Sequence, residues 1–101
     1  MFIYNITVKV DYEILEDWLN WQRDKHIPEI MAIGLFTNSR MFKLLDQDES
    51  EGSTYVLQFL SLTKENYNRY ISKYAPLLRE KAINEWGNRF LAFHTLMMAV
   101  Q

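Results

Sequence analysis

Thr54-Tyr55-Val56-Leu57-Gln58-Phe59-Leu60-Ser61-Leu62 is the stretch that decides the fold. Tyr55, Leu57 and Phe59 alternate with Val56, Gln58 and Leu60, so a strand here is largely apolar on both faces and belongs at the centre of a sheet covered on two sides. Upstream, Leu35 to Leu45 favours a strand through Phe36, Thr37, Met41, Phe42 and Leu44, and the polar, acidic Asp46 to Gly52 joins the two as a hairpin with a longer-than-minimal loop. At the start of the chain Phe2, Tyr4, Ile6, Val8 and Val10 fall on one face of a half-buried strand, with Asn5, Thr7 and Lys9 on the other beside Ile3.

Helical patterns fill the gaps. Asp11 is a good N-cap, Glu13, Glu16 and Asp17 follow it, and Arg23, Lys25 and His26 come last, a charge order that suits a helix dipole. Ile14, Leu15, Trp18, Trp21 and Gln22 cover one face, and Pro28 predicts a stop near His26. Pro28 to Gly34 reads as one or two further turns forming a bent connector. Thr63 caps the second helix, whose stripe is Tyr67, Tyr70, Ile71, Tyr74 and Leu78; Pro76 predicts a kink or restart, and Gly87 the end. Arg89 to Val100 is the last strand. The order βαββαβ, with two right-handed crossovers interleaved with one hairpin, predicts an α+β chain with the ferredoxin-like arrangement. Residues 1–101 then form a single domain, a four-stranded antiparallel sheet with two helices on one face.

Composition agrees with a packed core. The 101 residues are 49% hydrophobic and 15% aromatic, carry a formal charge of −2 and include no cysteine, which excludes a disordered chain, a disulfide scaffold and a zinc site built on thiolates. Eleven basic residues against 13 acidic ones, without clustering, leave no footprint for nucleic acid. No apolar run approaches the roughly 20 residues that span a bilayer, and no signal-peptide pattern opens the chain, so a cytoplasmic protein without a membrane partner is expected. Two helices cover one sheet face only, yet the central and final strands are apolar on both. The surplus predicts a second copy packed on the other face.

Ile3-Tyr4-Asn5-Ile6-Thr7-Val8, Trp18-Leu19-Asn20-Trp21, His26-Ile27-Pro28-Glu29, Gly34-Leu35-Phe36-Thr37, Thr54-Tyr55, Tyr74-Ala75-Pro76-Leu77-Leu78-Arg79 and Phe90-Leu91-Ala92-Phe93, taken in order, resemble the DUF4286 family of small bacterial proteins. The resemblance implies a dimeric α+β barrel, two ferredoxin-like protomers packed sheet to sheet, and brings no assigned activity with it. His26 just ahead of a proline also looks like the arrangement in EthD-like proteins. In the last strand this chain departs from such groups: His94 stands where an Arg-like residue is expected, and Met97-Met98 where an acid is.

His26 is the sharpest candidate for chemistry, since imidazole titrates near neutrality and serves as acid, base or hydrogen-bond donor. It also reads as a structural residue that ends the first helix and hydrogen-bonds to the sheet. Trp18 and Trp21, three apart, suit core packing or a pocket wall. Gln58 interrupts an apolar strand, so its amide needs a partner: a ligand, His26, or a group across a strand or a dimer. Arg79 belongs to the family-like motif on an otherwise mixed-charge helix. Asp46 to Leu57 fails as a calcium loop, because Glu51 stands where glycine is needed and Leu57 cannot chelate. No metal site or cofactor is expected. The sequence therefore supports a homodimeric structural or small-molecule-binding module, with His26, Trp21, Gln58 and Arg79 around a small apolar or aromatic molecule. Its alternative is a cofactor-independent enzyme, such as an oxygenase or isomerase, using His26 as acid or base.

Overall fold

The computed structural model describes all 101 residues. Strand β1 (Phe2–Asp11) leads into helix α1 (Leu15–Trp21), a π turn (Gln22–His26) and helix α2 (Ile27–Ala32); β2 (Asn38–Lys43) and β3 (Gly52–Ser61) form the hairpin. Helices α3 (Lys64–Lys73) and α4 (Ala75–Trp86) precede β4 (Phe90–Met98). The sheet order is β2-β3-β1-β4, with every neighbouring pair antiparallel. This is the ferredoxin-like arrangement, with the central pair β1 and β3 both apolar toward the helices.

Register sorts the two faces. Opposite residues share a face, so Tyr4, Phe59 and Leu96 point to the helices together, as do Ile6, Leu57 and His94, and Val8, Tyr55 and Ala92. One cluster of buried side chains joins Tyr4, Ile30, Phe36, Leu57, Phe59, Tyr70, Ala75 and Leu78. Tyr4 stands at its centre, with ring centroids 5.6–6.3 Å from those of Phe36, Phe59, Tyr67 and Tyr70. A second cluster of Val8, Val10 and Trp18 lies toward the other end of the same strand.

Three local features differ from expectation. The Asp11 carboxylate does not cap α1, which has no side-chain cap; instead it accepts from Arg89 Nε at 2.7 Å, and Arg89 also pairs with Glu13, so the acidic turn is tied to the residue just ahead of β4. The helical path does not stop at His26. Ile27 N–H bonds to the Gln22 carbonyl, five residues back, and this wide turn relieves the clash that Pro28 would otherwise make with the carbonyl of Asp24. Strand β2 is shorter than Leu35 to Leu45 because Phe36 turns inward as a core residue.

Elsewhere the punctuation follows the residues. The Thr63 hydroxyl accepts from Asn66 N at 3.1 Å, and Pro76 begins a new helix after the break at Tyr74. Gly87 ends α4 at φ 61°, ψ −130°, a conformation that side-chain-bearing residues avoid. At Gly52 the need is space: a Cβ there would lie 2.3 Å from the Val10 carbonyl oxygen.

Candidate ligand-binding site

Between the two core clusters the packing leaves a cavity of about 330 Å³. Tyr4, Leu57 and Leu78 reach it from the first cluster and Val8 and Trp18 from the second. Eleven of its 16 lining residues are hydrophobic, so a ligand there gains mainly by burial, while the few polar groups set its orientation.

Tyr4, His94 and Arg79 form one of the polar groups. Arg79 Nη2 donates to the Tyr4 hydroxyl oxygen at 3.0 Å, and that oxygen lies 2.6 Å from His94 Nδ1. The same Arg79 Nη2 lies 3.5 Å from His94 Nδ1, and because a guanidinium can only donate, these contacts suit an Nδ1 that accepts and a neutral ring protonated on Nε2. Burial, opposed by Arg79, raises the Tyr4 pKa and keeps the phenol protonated. Burial and the neighbouring guanidinium both lower that of His94, so the imidazole is uncharged at neutral pH.

His26 and Gln22 enter from the two ends of the π turn. The His26 ring stacks on Trp21 with centroids 4.2 Å apart, and Trp21 meets Trp86 edge-on. Burial lowers the His26 pKa to about 4, with Glu29 opposing and Lys81 reinforcing the shift. Gln22 is 4% exposed, and its Oε1 has no hydrogen-bond partner, which is costly for a buried amide unless something else supplies the donor.

The structure thus brings His26 and Arg79 to one cavity and leaves two other sequence candidates outside it. Trp21 supports His26 from behind without lining the space. Gln58 lies on the opposite face of the sheet, where its Nε2 donates to Asn5 Oδ1 at 3.2 Å; it cannot orient His26, because the sheet stands between them. Tyr4, Gln22 and His94 were not among the candidates. Gln22 carried a readable signal, a lone amide in an apolar helical stripe. For Tyr4 and His94 the signal lies in the β1–β4 register. No group of three or more His, Asp or Glu side chains converges to hold a metal ion, and no helix is long and apolar enough to cross a membrane.

Sheet order, helix placement and the cavity between them define a ferredoxin-like α+β protein. The chain belongs to the DUF4286 family, described as a domain of unknown function, whose model matches residues 1–100. Its fold is similar to that of an EthD-family protein from Bacillus halodurans, at 11% identity with 99% of this chain and 100% of that one covered and a TM-score of 0.68. A dimeric ferredoxin-like protein from an uncultured marine organism is similar at 14% identity, 100% and 96% coverage and a TM-score of 0.67. So is a variant of SnoaB, a cofactor-independent oxygenase from Streptomyces nogalater, at 10% identity, 99% and 94% coverage and a TM-score of 0.63. No curated protein matches the chain.

Proposed function

We propose that the protein is a homodimer that binds a small apolar or aromatic molecule between its sheet and helices. The observation that carries this reading is the cavity of about 330 Å³, walled by apolar side chains and reached by a few polar residues, among them Gln22, whose buried amide oxygen has no partner. That combination of volume and lining is what small-ligand sites have.

Binding is favoured over acid–base catalysis by the state of His26. With its pKa lowered by burial to about 4, the His26 ring is uncharged at neutral pH, so it is no general acid there and only a weak base. It serves as an uncharged wall with hydrogen-bonding nitrogens. Dimerisation is supported by the bare face of the sheet, where Phe42, Leu91, Phe93 and Met97 are exposed, and by the likeness to a ferredoxin-like protein described as dimeric.

Native mass spectrometry of freshly purified protein tests both halves. The expected species is twice the 12.2 kDa protomer, carrying a small molecule that collisional activation releases. A bare protomer at micromolar concentration overturns the dimer. A dimer that carries nothing and takes up no apolar or aromatic probe overturns the binding reading.

A further inference from the structure

We infer that the cavity takes a small aromatic or apolar carboxylic acid, with Arg79 receiving the carboxylate and the Gln22 amide hydrogen-bonding to a hydroxyl elsewhere on the ligand. This rests on the binding reading above and names the ligand class.

The charges of the site carry the argument. Arg79 is the only charged residue in the lining, and no Asp or Glu faces it there. The ion pairs of the protein are Lys43 with Glu49, Lys81 with Glu29, and Arg89 with Asp11 and Glu13; Arg79 belongs to none of them. Its contacts with Tyr4 and His94 both use Nη2 and both go to uncharged groups. The other guanidinium N–H groups stay available in the planar fork that matches a carboxylate, while the permanent positive charge has no counter-ion within the protein. Arg79 is itself exposed, so it stands where the cavity opens to solvent; as the one cation of the lining it matches a single negative charge and suits a carboxylate better than a phosphate dianion.

Gln22 supplies the second, independent requirement. Its Oε1 is buried and unpaired, and it comes from the π turn while Arg79 comes from α4. The Gln22 side chain lines the cavity and is held by no hydrogen bond in the protein, so its amide is free to turn to a ligand group that supplies one. Between these two groups the apolar walls and the Trp18 ring call for a hydrocarbon or aromatic body.

The test is calorimetric titration of the full chain with 3-phenylpropanoate, its uncharged counterpart 3-phenylpropanol, and the three ring-hydroxylated 3-phenylpropanoates. The acid is expected to bind about tenfold or more tightly than the alcohol, as a charge-assisted hydrogen bond provides. At least one hydroxylated isomer is expected to bind more tightly than the parent acid. Arg79→Met keeps the stem and removes the charge, so it erases the preference for acid while alcohol binding persists; Gln22→Leu erases the hydroxyl gain alone. Equal binding of acid and alcohol by the unaltered protein overturns the ligand class and leaves the binding reading standing. Persistence of the acid preference in Arg79→Met overturns the assignment of that residue. Failure of every probe, alcohol included, counts against both.

Discussion

Trp21 and His26 stack at 4.2 Å because the π turn lays the imidazole against the indole, and that burial sets its chemistry. An imidazole held at a pKa of about 4 in the fold and near 6.5 when unfolded makes the unfolded state the stronger proton binder between those values. Stability from this group is therefore complete above pH 6.5 and is lost as pH falls toward 4, by at most about 3 kcal/mol. His94, also lowered, acts in the same direction. Urea midpoints measured from pH 8 to pH 4 are expected to be level above pH 7 and to fall below 6.5, and His26→Phe, which keeps the stacking, is expected to flatten part of that fall. An unchanged slope in the variant would show that His26 is not buried uncharged. Sequence alternation alone places Tyr4 inward, but its meeting with His94 joins residues 90 apart through a register that no local pattern encodes. The Pro28 signal was legible, and the wide turn that accommodates it was not, because a period of 3.6 residues assumes the very register that the turn breaks.

Among the elements, those with strong caps and clean periodicity were readable to within a few residues. Thr63, the Pro76 restart and the Gly87 exit each act through their own backbone chemistry, so local sequence suffices. Asp11 misled because two partners compete for one carboxylate: a helix N-terminus offers N–H groups, but Arg89 offers a charged fork at 2.7 Å. For α3 the cap contribution is separable, since the Thr63 hydroxyl contacts Asn66 N while the Thr63 carbonyl accepts from Ser61 Oγ independently. Thr63→Ala is expected to cost about 1 kcal/mol in urea denaturation with an unchanged slope, and Thr63→Ser to restore most of it. A loss near zero would mean that water satisfies Asn66 N as well as the hydroxyl does. The α1–π–α2 path matters differently: the wide turn presents both Gln22 and His26 to the cavity, so the irregularity sits where the site is.

Across the whole molecule the dimensions, 38 × 32 × 19 Å, are those of a two-layer slab with helices on one side of the sheet and nothing on the other. The bare face is ordered in rows by strand pairing. Phe42, Val56, Thr7 and Phe93 form one row across all four strands, and Asn38, Leu60, Ile3 and Met97 form another. Between them runs a polar row of Arg40, Gln58, Asn5 and Thr95, with Gln58 bonded to Asn5. An antiparallel sheet facing water alternates to polar side chains on that face; here two mostly apolar rows flank a polar one, with Lys9, Thr54 and Leu91 in the row beyond Phe93, a pattern suited to a self-complementary contact in which the apolar rows bury area and the amides fix the alignment. Phe93 is 60% exposed in the protomer, so replacing it does little to the fold of one chain and much to a contact across the sheet. Phe93→Glu is expected to keep the far-ultraviolet circular dichroism of the parent while sedimentation equilibrium at micromolar concentration shifts from dimer to protomer. If the parent sediments as a dimer and the variant does too, the second copy packs elsewhere than on this face, and the apolar rows need another partner.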